Sequence, residues 1–531
     1  MKLLYNAKIY TLEREKPLAS SLLIDKDRIV AVDGRNIRSS QANSRKNEIK
    51  EKINLEGHTV IPGLIDAHIH LQRYAFALQK IDCETSTRDE CLKRVMEKAI
   101  QLQPGEWIYG HGWNQNSWSG GYGVAADLDA VAPRNPVYLT AKSLHIGWVN
   151  SLALNEVGLH EHTPDPKDGH FGRDGKGKLN GLAFESAMEL IENALPQPTI
   201  DQISDAIRNA QTVLWKMGLT GLHDFDGRDC FSALQVLNNL QELNIRVVKG
   251  IPLQLLTQAV ETGLLFGFGN EFLRIGQVKA FADGALGPHT GAMFQPYEDD
   301  STNLGMLKLD ADELYEKGRL AVQNGMAMAV HAIGDRAVHE ALNGFSQLRD
   351  YEKLHHISGL RHRIEHVQLI DPKDSSRLAE LGIVASMQPI HVLSDMRMAD
   401  AYWGKRSEFS YAWQVQLKAG SVLAFGSDAP VESPNPFWGL YAAVTRRCFD
   451  GYPGVEGWYP EQRLELLDAL KAYTVGGAYA AGLENQVGKL APGFLADLLV
   501  IDKDLFSCSP EEIKDIRPLL TMIGGNWVYR N

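Results

Sequence analysis

Apolar residues along this chain fall into short runs that end in polar groups, and helix-length segments separate most of the runs. The runs at 63–70, 137–141, 219–224, 246–251, 277–282, 327–331, 363–367, 383–387 and 422–426 read as strands. Amphipathic stretches at 201–217, 312–324 and 372–381 read as helices among them. Strand, loop and helix repeated in this order predict a parallel sheet with crossover helices. About eight such units make a closed barrel, so one of these runs should stand outside it, and the pattern does not say which.

The two ends of the chain have a different texture. Residues 3–11 alternate loosely, and 21–32 read as two strands around a polar turn. Residues 494–501 and 519–529 are similar short apolar runs with turn punctuation. The expectation is an α/β chain: a (β/α)8 barrel with a small β-sandwich built from both termini. Residues 1–58 and 487–531 would form the sandwich and 59–486 the barrel, with a loop insertion at about 74–199. Within the insertion, the Gly-rich stretch 118–123 and residues 160–178 read as loops covering one end of the barrel.

Composition narrows the class. The 531 residues are 44% hydrophobic and 23% charged, ordinary globular values. A net charge of −12 argues against nucleic acid or an anionic membrane as partner. No run is long enough to span a bilayer, and Asn6 and Lys8 interrupt any signal-peptide core. Five scattered cysteines, none in a CxxC pair, predict neither a disulfide framework nor a cysteine zinc site. A cytoplasmic setting is the simplest expectation, and a homodimer the default assembly.

The candidate chemistry sits where the strands end. In Pro62-Gly63-Leu64-Ile65-Asp66-Ala67-His68-Ile69-His70, period two puts Asp66, His68 and His70 on one face. His-x-His alone is weak evidence for a metal. Later strands add to it: 326–331 ends in His331, 363–366 in His366, and 422–428 in Asp428. C-terminal strand ends of a barrel converge. His68, His70, His331, His366 and Asp428 would then offer four imidazoles and a carboxylate, suited to zinc or a similar first-row metal. Lys279 lies inside an apolar strand, where a charged amine is costly. It either reacts with carbon dioxide to give a carbamate bridging two cations, or pairs with Asp283 four residues on.

These segments resemble the amidohydrolase superfamily. More narrowly, 278–287, 331–335, 364–366, 387–391 and 426–431 are similar to the branch that includes N-substituted formamide deformylases. The resemblance covers nearly the whole chain in the family's order. It implies a divalent metal centre, zinc by preference and two cations per chain. His68 and His70 would hold the more buried cation, His331 and His366 the second, and carboxylated Lys279 would bridge them. Asp428 would bind the first cation and move protons, accepting one from water and delivering it to the departing nitrogen. The implied substrate is a small molecule with a non-peptide C–N bond: an amide, formamide or cyclic amide. His391 is a candidate donor to the substrate or a structural histidine. Trp113 and His145, in the insertion, are candidate substrate contacts, with packing the stronger reading for Trp113. Asp335 is expected to cap a helix.

Two other readings stand beside this one. A mononuclear deaminase of an amino-substituted ring would usually carry a glutamate shortly after His331, and the sequence has none there. A non-catalytic regulatory relative would keep the barrel without needing every ligand.

Overall fold

The computed structural model describes residues 1–33, 49–115, 118–142, 145–167 and 169–531. Residues 34–48 of the N-terminal β-segment and residue 168 of the 160–178 stretch lie outside the described residues. The chain divides into two compact units, Met1–Tyr74 with Ile203–Asn531, and Ala75–Gln202.

The first unit contains a barrel of eight parallel strands. They are β1 (Leu64–Ile69), β2 (Leu219–Asp224), β3 (Arg246–Pro252), β4 (Leu273–Phe281), β5 (Met328–Ala332), β6 (Arg363–His366), β7 (Val384–Met387) and β8 (Leu423–Phe425). Each pairs in parallel with the next in chain order. Closure comes just past β8, where Asp428 N–H donates to His68 O at 2.7 Å and His70 N–H donates to Ala429 O at 2.9 Å. The strands are buried on both faces, as expected where helices cover the sheet outside and side chains fill it inside. Gly426 is needed at the seam, because a Cβ there would lie 2.5 Å from the His68 nitrogen.

Both chain ends join one eight-stranded sheet, in which Leu498–Ile501 runs antiparallel to Thr59–Pro62. Its core mixes the two ends, with Leu4, Ile9, Leu22 and Ile24 packed with Leu498, Val500 and Met522. The pairing is nonlocal, yet it puts Thr59–Pro62 directly ahead of β1, so the terminal sheet anchors the strand that carries His68.

The second unit shows which of the nine runs stands outside the barrel and what the insertion is made of. Residues 137–141, one of the nine strand candidates, form Val137–Ala141 in a separate six-stranded sheet and not a barrel strand. The insertion is a compact folded unit, in which 118–123 is turn and loop as expected. Part of the 160–178 stretch supplies strand Gly169–Arg173, which pairs with Leu179–Glu185. Its core is built on Trp113, Trp118 and Trp148 with Leu128, Leu139 and Cys91. Burial of such aromatic and aliphatic area is what lets the segment Ala75–Gln202 pack as a unit.

The helices lie close to their expected bounds, at Ile200–Lys216 and Ala311–Gln323, while 372–381 splits into two short turns. Asp335 is the first residue of helix Asp335–Leu354 and not its cap; its Oδ1 accepts from Phe294 N–H at 2.9 Å. Among the described residues, no helix is long and apolar enough to cross a membrane.

Candidate metal centre

Each proposed ligand sits at or just past the C-terminal end of a barrel strand. His68 and His70 end β1, Lys279 lies near the end of β4, His331 on β5 and His366 on β6, and Asp428 follows β8. His68 Nδ1 meets Glu365 Oε2 at 2.6 Å, and its Nε2 lies 3.4 Å from Asp428 Oδ1. His70 repeats the arrangement, with Nδ1 3.1 Å from Asp226 Oδ1 and Nε2 3.4 Å from the same Asp428 oxygen. A carboxylate on one ring nitrogen fixes the tautomer and leaves the other nitrogen as a lone-pair donor.

His331 and His366 face each other with ring centroids 4.5 Å apart, and His366 lies 4.9 Å from His68. His331 Nε2 donates to Gly284 O at 2.7 Å, a tautomer that leaves Nδ1 as the lone-pair donor. His366 has φ 74° and Asp428 φ 61°, backbone that histidine and aspartate tolerate better than most residues. The turn at His366 breaks strand alternation, so consecutive residues Glu365 and His366 both reach His68. Strained backbone of this sort gathers at functional sites.

Lys279 is not paired with Asp283. Asp283 instead accepts from the backbone N–H groups of Ala292, Ile333 and Gly334 and ties the loop after β4 to the end of β5. Lys279 Nζ is buried with no hydrogen-bond partner and stands 4.9 Å from the ring centres of both Phe225 and Phe281. Burial pushes its pKa down to about 8, against the opposing pull of Glu365 and Asp428. A neutral amine is therefore accessible near physiological pH.

Burial also holds His68 near 4, His331 near 3 and His366 well below its usual value, so these rings are neutral at pH 7. His70 differs. Burial lowers it, but the hydrogen bonds to Asp226 and Asp428 prevail and raise it to about 9. Burial disfavours the charged forms of Glu365 and Asp428, yet Arg363 and His68 hold the first, and the facing histidines the second, well below the usual carboxylate range. Glu365 is further clamped by Ser386 Oγ, which donates at 2.7 Å, and by an ion pair with Arg363. Asp66, on the same face as His68 and His70, accepts from Ser427 N–H at 3.0 Å and Ser427 O–H at 2.5 Å, and so fastens β1 to the segment after β8.

The donor set fits a divalent cation. Ligand atoms of His68, His70 and Asp428 lie within 4.8 Å of one another, and so do those of His366, His391 and Asp428. Lys279 Nζ, His366 Nδ1 and His391 Nε2 are buried without partners, and such orphaned groups call for an explanation that a cation or a carbamate would supply. A third cluster, Asp224, Asp226 and Cys230, is already engaged within the protein: Lys249 Nζ pairs with Asp224 Oδ2 at 2.8 Å and donates to the backbone carbonyl of Asp226, whose carboxylate faces His70.

Two sequence candidates, Trp113 and His145, belong to the second unit. Trp113 is sealed in the core of the inserted unit, its indole N–H donating to Leu139 O at 3.0 Å, so it packs and presents no face to a substrate. His145 is exposed in that unit, with Nδ1 2.9 Å from Glu185 Oε2. The orienting carboxylates Glu365 and Asp226 were not among the sequence candidates. Arg363 and Glu365 two apart in a buried strand were a legible signal, since charges in such a run need partners.

The site and barrel define a metal-dependent hydrolase. Residues 51–529 match the amidohydrolase family model, and the chain belongs to that family. It is 32% identical to Protein LONG AFTER FAR-RED 3 of Arabidopsis thaliana, over 99% of this chain and 91% of that protein. It is 26% identical to the N-substituted formamide deformylase of Arthrobacter pascens, over 98% and 97% of the two chains. Among solved structures, an uncharacterized metal-dependent hydrolase from Pyrococcus furiosus is similar with TM-score 0.79 and 28% identity, covering 95% of this chain and 100% of that one.

Proposed function

We propose that the protein hydrolyses a non-peptide C–N bond in a small amide, formamide or cyclic amide. The observation that carries this reading is the convergence of His68, His70, His331, His366 and Asp428 around the unpartnered Lys279 at one end of the barrel. The likeness to a formamide deformylase along nearly the full length of both chains supports the C–N class. Divalent metal bound at this centre, zinc by the chemistry of the donors, brings the pKa of water toward neutrality and polarises a carbonyl.

The chain's own residues supply the rest. Asp428, ionised and 14% exposed at its side chain, accepts a proton from the attacking water and returns it to the departing nitrogen. Glu365 and Asp226 hold His68 and His70 in the ligating tautomer. Lys279 becomes a carbamate: its neutral amine attacks carbon dioxide, an N–C bond forms as one C=O π bond opens, and the displaced proton leaves to solvent. The resulting carboxylate would occupy the place of an unpartnered amine and offer two oxygens to cations held by the neighbouring histidines. A mononuclear deaminase would leave Lys279 without a task.

The test is a panel of N-substituted formamides, amides, lactams and amino-substituted rings given to the metal-loaded enzyme. Hydrolysis of a C–N amide-type bond is expected, and Asp428→Asn, whose side chain no longer accepts a proton, should lose about 10²–10⁴-fold in turnover. Ammonia release from the ring amines alone, or near-normal turnover in Asp428→Asn, would refute the reading.

A further inference from the structure

Three histidines, not two, are arranged alike around Asp428. His68 and His70 each turn Nδ1 to a carboxylate, Glu365 or Asp226, and Nε2 to Asp428 Oδ1. His391 turns Nδ1 toward Asp395 Oδ2, 3.9 Å away, and Nε2 toward Asp428 Oδ2, 3.8 Å away. The orientation is the same, but the separations exceed a hydrogen bond and the other oxygen of Asp428 is used. We propose that His391 is a metal ligand through Nε2, holding a cation together with His366 and Asp428, and that Asp395 orients it.

Chain topology puts His391 in position. It lies on the short turn Pro389–His391 that follows β7, and β7 lies between β6 and β8 in the barrel. Its ring therefore stands between His366, from β6, and Asp428, from the end of β8. His391 Nε2 and His366 Nδ1 are both buried without a hydrogen-bond partner, and the ligand atoms of the three residues lie within 4.8 Å of one another. Asp395 is itself fixed, because Tyr411 O–H donates to its Oδ2 at 2.6 Å. A carboxylate behind a histidine whose other nitrogen points at a ligand oxygen is the usual support of a metal-bound imidazole. Asp428 then serves both cations, with Oδ1 facing His68 and His70 and Oδ2 facing His391.

This assignment rests on the metal-centre reading above. The experiment loads the full chain with Co²⁺ and measures stoichiometry by elemental analysis and affinity by chelator competition, for wild type, His391→Ala and Asp395→Asn. Melting of the metal-free proteins reports folding separately. His391→Ala is expected to lose the weaker cation or bind it at least about tenfold less tightly, and Asp395→Asn to weaken it by about 10–100-fold while leaving the ring in place. Wild-type stoichiometry and affinity in both variants, with only kcat/KM reduced, would make His391 a substrate contact and overturn the assignment while the metal centre stands. A wild-type chain that takes up no cation would overturn the metal centre itself, and the assignment with it.

Discussion

The two ends of the barrel handle their polar groups in opposite ways. At the N-terminal end, charged side chains pair off within the protein. Arg246, at the start of β3, makes a two-pronged contact with Asp497 at 2.6 and 2.9 Å. Just ahead of β6, His362 meets Glu352 at 2.6 Å and Arg361 meets Glu484 at 2.7 Å. At the C-terminal end, His68, His70, His366 and His391 crowd one carboxylate, Asp428, and Lys279 Nζ has no hydrogen-bond partner among the described residues. The first arrangement pairs each charge with an opposite one; the second leaves a buried amine and two buried imidazole nitrogens without hydrogen-bond partners. In a barrel this separates the end that holds the fold from the end that does chemistry.

The largest effect expected on stability belongs to the closed end. Asp497→Ala leaves the buried Arg246 guanidinium without its carboxylate and should destabilise the protein by about 3–5 kcal/mol. Denaturant melts measure this, and cation affinity should be unaffected; a loss of affinity of similar size would erase the contrast between the ends.

A pH dependence comes next, at the open end. His70 carries a proton below about 9, and a cation must displace it. Affinity therefore rises with pH, by about tenfold per unit between pH 6 and 8, with release of about one proton per site. Calorimetry in buffers of different ionisation enthalpy checks the proton count. A pH-independent affinity would show that Asp226 and Asp428 do not hold His70 protonated.

The smallest effect concerns Lys279→Met in the metal-free protein. Replacing an unpartnered buried amine with an apolar side chain should leave stability unchanged or raise it by about 1 kcal/mol, while turnover is lost. Marked destabilisation of that variant would mean the amine has a structural partner.

Much of this contrast was legible in the sequence, because strand-end ligands depend on local features. A run such as 422–428 fixes both the strand and the carboxylate that ends it. What escaped depends on closure of the barrel. Glu365 meets His68 only because β6 and β1 face each other across the interior, and nothing within either strand says so. Asp283 looked like a partner for Lys279 at strand spacing, but the chain leaves the strand at Phe281 and turns Asp283 to backbone N–H groups. Residues 137–141 have the apolar pattern of a barrel strand, and only their pairing with neighbours in the insertion sets them apart. Trp113 shows the same limit, since an aromatic in a core and one in a binding wall share one sequence pattern.

The most direct measurement is a crystal structure of the zinc-loaded protein grown with bicarbonate, with elemental analysis of the same preparation. The account predicts a carbamate on Lys279 Nζ and cations against His68, His70 and Asp428. A bare Lys279 amine in a fully metallated chain would contradict it.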